Sequence, residues 1–301
     1  MKIPDEEAGG RVDRYVQRIT GQPFGIVQRL IRTGQVRLDS RRVKSNTRLE
    51  PGTELRLPPQ MAVAKSKPAG ANATSAKTFI DKYRLYEDDD LLVVNKPSGL
   101  AVQGGSRTLH HLDGIVAQLT PRPLLVHRLD RDTSGVLLLA KSPAIARILT
   151  SRFRNRDVQK SYWAVVDGEP ESHEGQIDLP LAKHKRGGQE LMVVDNQHGQ
   201  NAVTTWRKLA SCNGLTWLEL KPITGRTHQL RVHCAAMGWP IHQDGKYGNL
   251  SGTLKLHARQ LMLCHPHDST DLCFVAEPPQ AFADILKHFG HNNVQTEWTP
   301  L

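Results

Sequence analysis

The 301-residue sequence has few cysteines, few aromatics and no long apolar run, and each shortage removes a class of protein. Cys212, Cys234, Cys264 and Cys273 lie apart in the last third with no CxxC pair. That excludes a disulfide framework and reads as reduced, mostly buried thiols of a cytosolic chain. The longest apolar runs are short pieces such as Leu91–Val94 and Val136–Ala140, well below the roughly 18–20 residues that span a bilayer. Asp5, Glu6 and Glu7 stand where a secretory or mitochondrial leader is basic or apolar, so a cytoplasmic protein is expected. There is no GxGxxG after a strand, no GxxxxGK[ST] and no GxSxG, which leaves dinucleotide, P-loop and nucleophile-elbow chemistries without support. No cofactor is expected. Fourteen histidines invite a metal, but at Cys264-His265-Pro266-His267 a proline separates the candidate ligands and no second spaced cluster follows, so none is expected. A hydrolytic triad of His127, Asp130 and Ser134 would be cramped within one loop.

What is abundant is arginine, in one place. The formal charge is +10, and between Arg11 and Arg56 eleven basic residues face four acids, so this stretch alone carries +7. Clustered arginine favours a polyanion, because the guanidinium fork matches phosphate. Val12, Tyr15, Val16 and Ile19 have helical spacing with Arg11, Arg14 and Arg18 between them; Gly21 and Pro23 break that helix. A second helix is predicted from about Phe24 to Thr33, with Ile26, Val27, Leu30 and Ile31 on one face. Short alternating pieces follow at Val36–Leu38 and Glu54–Leu57, around the turn Pro51-Gly52. The string RVDRYVQRI…VQRLIRTGQVRLDSRRVKSNTRLEPGTELRLP resembles the S4 RNA-binding module. The resemblance implies that Arg11, Arg14, Arg18, Arg29, Arg32, Arg37, Arg41 and Arg42 grip structured RNA through its backbone.

Residues 58–77 are rich in Ala, Ser and Pro and read as a flexible linker between a first domain over 1–57 and a second over 78–301. In the second, strand candidates are Leu91–Val94, Leu124–Val126, Val136–Ala140, Tyr162–Val166, Leu215–Leu220 and Leu272–Val275. Helix candidates are Leu109–Leu119, Ala144–Arg154, His228–Met237 and Ala281–His288. The pattern predicts an α+β protein: a small domain and a large mixed, mainly antiparallel sheet with helices packed on it.

One loop stands out. In LLVHRLDRDTSGVLLLAKS two apolar strands flank Arg128, Asp130, Arg131 and Asp132, with Thr133 and Ser134. Capping a turn needs one such acid, whereas a charge-dense loop between buried strands is a site candidate. His127-Arg128-Leu129-Asp130-Arg131-Asp132-Thr133-Ser134-Gly135 matches the HRLDxxTSG signature, and on it the chain resembles the RluA-type pseudouridine synthases. Asn95-Lys96-Pro97-Ser98-Gly99, Lys160-Ser161-Tyr162-Trp163-Ala164, Thr224-Gly225-Arg226-Thr227-His228-Gln229-Leu230-Arg231-Val232-His233, Leu256-His257-Ala258 and His265-Pro266 agree, in order, over about Leu85 to His288.

The resemblance implies a reaction that breaks the bond from C1′ to N1 of uridine, turns the base and rejoins it through C5. The atoms balance, so no cofactor or metal is implied. Asp130 corresponds to the nucleophile; attack at C1′, attack at C6 and a glycal path all stay open. Arg231 corresponds to the basic partner that keeps a buried carboxylate ionised. Tyr162 lies against the base, stacking on it and open to a part in proton transfer at C5. Arg128 enters the gap left by the flipped-out nucleotide, and His127, Thr133, Ser134 and Gly135 complete the loop. Two departures from the family pattern are Gln243, where Gly is usual before Asp244, and Gln200, where Lys is common. An S4-like module joined by a linker resembles the bacterial synthases of large-subunit (23S) ribosomal RNA, so that RNA is the implied partner of a monomer without membrane contact. The rival of another class, a non-catalytic RNA-binding assembly factor, would have lost Asp130, Tyr162 or Arg231. All three are present.

Overall fold

A computed structural model describes residues 1–22, 24–59, 70–104, 110–186, 189–249 and 252–290. Contacts divide the chain into two units, the second beginning at Asn72.

In the first unit the apolar stripes fall where helical spacing puts them. α1 (Val12–Thr20) buries Val12, Tyr15 and Val16, and α2 (Phe24–Arg32) buries Val27 and Ile31. α1 ends at Gly21, whose φ of 65° is the left-handed geometry that closes a helix at little cost. β1 (Arg37–Leu38), β2 (Arg41–Arg42) and β3 (Leu55–Arg56) form a small antiparallel sheet in the order β2-β1-β3. Ile3, Val36, Leu38, Leu49 and Leu55 complete one core with the helices. Asp13, fully buried, accepts from Arg11 Nε and Nη2 at 3.1 and 2.7 Å and from Gln28 Nε2 at 2.9 Å, tying α1 to α2.

The second unit opens within α3 (Gly70–Tyr83). This corrects the expected flexible linker over 58–77: residues 60–69 lie outside the described chain, and 70–77 are the first half of a helix. Alanine is the best helix former, and Ala76 and Ile80 are enough to seat the helix in the core beside Leu92, Val94 and Leu139.

The strands of this unit are β4 (Arg84–Glu87), β5 (Leu91–Lys96), β6 (Leu124–Leu125), β7 (Ser134–Ala140), β8 (Gln159–Asp167), β9 (Glu174–Asp178), β10 (Leu181–Arg186), β11 (Gln189–Val194), β12 (Val203–Cys212), β13 (Leu215–Pro222), β14 (Leu256–Cys264) and β15 (Asp271–Val275). Its further helices are α4 (Leu112–Val116), α5 (Pro143–Asn155), α6 (Gln229–Ala236) and α7 (Gln280–Leu286). The main sheet runs β4-β5-β7-β14-β8-β13-β12-β9, with β15 on β14 and β6 on β7, while β10 and β11 pair as a separate hairpin. Every pairing is antiparallel except β7 with β14, which is parallel through His257 opposite Ser134 and Ala258 opposite Gly135.

That parallel crossing depends on a missing side chain. Gly135 has φ 112°, and a Cβ there would lie 2.1 Å from the Ala258 carbonyl oxygen. Central β14 escapes the apolar pattern because His257 and Arg259 interrupt it. Both are buried and hydrogen-bonded: His257 to Ser134 Oγ and the Ala276 carbonyl at 2.8 and 2.9 Å, Arg259 through Nη1 to that carbonyl and to Glu277. Alternation along β8 turns Trp163 and Val165 toward Trp217 and Phe282, and Tyr162, Ala164 and Val166 toward the opposite face.

Candidate active site

Segments far apart in sequence meet at one cavity of about 530 Å³. The loop before β7 supplies His127, Arg128, Asp130 and Thr133, strand β8 supplies Lys160 and Tyr162, and the turn and first residues of α6 supply Arg226, His228 and Arg231. Asp130, Tyr162 and Arg231 are therefore brought together. Ser134 and Gly135 lie outside the lining and act behind it. Ser134 Oγ donates to His257 Nδ1, whose ring donates from Nε2 to the Ala276 carbonyl. Burial lowers the His257 pKa to about 4, so the ring is neutral and its two nitrogens have these two distinct roles.

The charged loop is clamped from the NKPSG turn. Lys96, fully buried, donates from Nζ to the carbonyls of Pro97, Leu100 and Arg131 at 2.9, 2.8 and 3.0 Å, and Ser98 Oγ donates to the Asp132 carbonyl at 2.7 Å. Burial brings the Lys96 pKa down to about 8 against the pull of Asp132 and Asp130. His127 is a further clamp: its Nε2 accepts the Leu138 backbone N–H at 2.9 Å and its ring stacks on Phe153. Burial, reinforced by Lys160, takes its pKa to about 3. A neutral ring that accepts at Nε2 is a structural part, so His127 holds the loop rather than titrating in it.

Asp130 Oδ2 faces Arg231 Nη1 at 4.0 Å and Oδ1 faces His228 Nε2 at 3.9 Å. Arg231 is bound more closely to another acid. Its Nε and Nη2 each reach Asp244 at 2.7 Å as a two-pronged pair, with Asp244 1% exposed and the Arg231 side chain 7%. Burial raises the Asp244 carboxyl, but the hydrogen bonds and charge of Arg231 and the Lys246 and Tyr247 N–H groups outweigh it and hold the pKa below the usual range. Burial lowers the Arg231 guanidinium, and Asp244 and Asp130 more than restore it. The Tyr162 phenol is raised by burial and by the charge of Asp130, so it stays protonated.

The rest of the THQLRVH segment is scaffold. Gln229 accepts from Thr224 Oγ1 and the Arg226 N–H and donates to the Val203 carbonyl and Thr204 Oγ1, all at 2.7 to 3.0 Å. His233 bridges Thr204 and the Leu179 carbonyl. Arg128 is exposed at the mouth, where Arg154, Arg156, Lys160 and Arg226 also line the cavity. Of the eight candidate RNA-binding arginines of the first unit, Arg14, Arg18, Arg29, Arg32, Arg41 and Arg42 are exposed. Arg11 instead serves the fold through Asp13, and Arg37 donates to the Gly34 and Ser40 carbonyls.

Sequence reasoning missed Asp244, His228 and the Lys96 clamp. Asp244 was legible only as part of a motif, and its neighbour gives the physical reason for the usual glycine. Gln243 has φ 60°, a strained geometry for a side chain, and its Oε1 is held by buried Lys255 Nζ at 2.8 Å. Among the described residues no group of three or more His, Cys, Asp or Glu is gathered as metal ligands would be, and no helix is long and apolar enough to cross a membrane.

Residues 90–236 match the family model described as RNA pseudouridylate synthase. The chain is 37% identical over 283 residues to ribosomal large subunit pseudouridine synthase C of Escherichia coli strain K12, covering 88% of each. It is 34% identical over 301 residues to the protein of that name from Haemophilus influenzae, covering 95% of this chain and 94% of the relative. Among solved structures it resembles human RNA pseudouridylate synthase domain containing 4, with a TM-score of 0.59 and 31% identity over 73% of this chain and 97% of that one. Human RNA pseudouridylate synthase domain containing 1 follows, with a TM-score of 0.54 and 25% identity over 68% and 94%.

Proposed function

This chain belongs to the RNA pseudouridylate synthase family, in its RluA branch, and from that premise we propose that it isomerises specific uridines of large-subunit (23S) ribosomal RNA, with Asp130 as the nucleophile. The observation that carries the reading is the convergence of Asp130, Tyr162 and Arg231 on one cavity. The target nucleotide leaves its stack to enter that cavity, and exposed Arg128 fills the gap it leaves. With the base inside, Asp130 acts while the bond from C1′ to N1 is open. C1′ then bonds C5, and the hydrogen lost from C5 is balanced by the one gained at N1.

Arg231 faces Asp130 through Nη1 while its Nε and Nη2 are committed to Asp244. A phenol held protonated suits Tyr162 to stacking on the base rather than to deprotonating C5 unaided. Around the opening, Arg128, Arg154, Arg156, Lys160 and Arg226 offer phosphate contacts with no acid among them. The arginine-bearing first unit acts as an S4-like second anchor, tethered so that the local concentration of RNA rises at the site. The protein works in the cytoplasm as a monomer, without metal or cofactor.

Asp130→Asn tests the reading. Pseudouridine formation on large-subunit RNA is lost while RNA binding survives. Pseudouridine mapping in ribosomal RNA from a strain lacking the protein shows missing sites; an unchanged map rejects the substrate, and full activity of the variant rejects the nucleophile.

A further inference from the structure

Arg231 and His228 face the two oxygens of the Asp130 carboxylate at 4.0 and 3.9 Å, each beyond hydrogen-bond distance. Arg231 addresses Oδ2 with Nη1, and its Nε and Nη2 belong to Asp244. A carboxylate faced at such distances turns readily about its last torsion. The group nearest the other oxygen is His228, with Nε2 at 3.9 Å from Oδ1.

The His228 ring is fixed in place and in tautomer. Its backbone has φ 53°, immediately before the first turn of α6, and Nδ1 is 2.6 Å from the Tyr247 hydroxyl. That hydroxyl oxygen accepts the Met192 backbone N–H at 3.2 Å, and the phenol is raised by burial, so it keeps its proton. The proton goes to His228 Nδ1. The opposite arrangement would set an unprotonated Nε2 against a carboxylate, lone pair against lone pair. Burial lowers the imidazole pKa; Arg231 and Lys246 lower it further, against Asp130 and Asp244. His228 is thus neutral near pH 7, with an Nε2–H directed at Asp130.

We propose that His228, oriented by Tyr247, is a positioning residue whose Nε2–H closes on Asp130 Oδ1 when RNA fills the cavity and fixes the plane of the carboxylate for reaction. The separation of 3.9 Å is too long for a hydrogen bond, and such contacts tighten in the substrate complex. The inference rests on Asp130 being the reacting carboxylate.

Two measurements test it on the full chain. Single-turnover and steady-state kinetics on 23S ribosomal RNA compare His228→Ala, His228→Asn, His228→Gln and Tyr247→Phe. A glutamine amide nitrogen reaches near the place of Nε2, and an asparagine amide nitrogen near that of Nδ1. Loss of orientation at the reacting atom lowers kcat by about 10- to 100-fold for Ala and Asn with KM unchanged. Gln restores most of the rate, and Tyr247→Phe falls between. Equal losses in Asn and Gln, or losses carried by KM, overturn the proposal. Nitrogen-15 NMR of His228 gives the second readout. The expected result is a neutral Nε2–H ring at pH 7 that titrates at lower pH in Asp130→Asn, since a neighbouring negative charge is gone. An unmoved titration overturns the contact. A wild-type protein that makes no pseudouridine while His228 still responds to Asp130→Asn refutes the function and leaves the contact standing.

Discussion

Asp244→Ala strips the partner from a buried arginine, and the structure sets the size of the loss. The carboxylate accepts four hydrogen bonds: Arg231 Nε and Nη2 at 2.7 Å each, and the Lys246 and Tyr247 N–H groups at 2.9 and 3.2 Å. Without it, Arg231 keeps its charge in surroundings where the nearest remaining anion is Asp130 at 4.0 Å. Breaking a buried ion pair from one side costs about 3–5 kcal/mol. With a urea m-value of roughly 2–3 kcal/mol/M, the unfolding midpoint drops by about 1.5 M. No tryptophan precedes Asn72, and Trp163, Trp206, Trp217 and Trp239 lie within the second unit, so their fluorescence follows the unit that holds the cavity. Asp244→Leu with Arg231→Met removes the charge along with its partner and regains much of the stability while staying inactive. Asp244 is held below the usual carboxylate range, so its contribution is complete above about pH 4 and fades as pH falls toward the depressed native value. Asp244→Asn flattens that acid limb. A loss under about 1 kcal/mol for Asp244→Ala, or a double variant as weak as the single, refutes the reasoning.

Three further outcomes are expected. Lys96 has a native pKa of about 8, below its unfolded value, so the unfolded chain holds the extra proton between. Stability therefore rises from about pH 8 to 10 by up to about 3 kcal/mol, a rise that Lys96→Met lacks; parallel stability–pH curves would sink it. Gly135→Ala, with backbone oxygen 2.1 Å from its new Cβ, loses at least about 3 kcal/mol in thermal unfolding. Gly214→Ala, at φ 74° with open space around it, loses about 1 kcal/mol, and equal losses would remove the steric argument. Arg29→Ser and Arg32→Ser each lower the salt slope of RNA binding by about one, whereas Arg11→Ser chiefly destabilises the first unit through buried Asp13. An unchanged slope would exclude both exposed arginines from the RNA contact.

The charged loop was legible because chemistry and local pattern coincide there: charges sit between two strands apolar enough to be buried. Roles within it were less so. His127 lies in the signature, yet nothing local says that its Nε2 is taken by the Leu138 N–H eleven residues on. Asp244 and His228 belong to the site through tertiary placement, one across a loop and the other through a left-handed backbone angle, and neither leaves a mark on hydrophobic period. β14 was missed because His257 and Arg259 break its alternation, although both donate to the Ala276 carbonyl. α3 was missed because small and polar residues read as a linker, while two buried side chains, Ala76 and Ile80, seat it in the core.

The strand order carries a consequence for the order of synthesis. β7, which leaves the Asp130 loop, and β8, which bears Tyr162, are made in succession but are not neighbours; β14 lies between them. A chain growing from its N-terminus thus carries one edge of β8 and the Ser134–Gly135 end of β7 without their partner until residues 256–264 emerge. Over that interval the nascent protein has an open seam, a natural place for a chaperone to bind or for another chain to intrude. β14 closes the seam and brings Leu256 to the cavity, with only β15 and α7 still to follow among the named strands and α-helices, so a ribosome-bound nascent chain stays inert until its synthesis is nearly over.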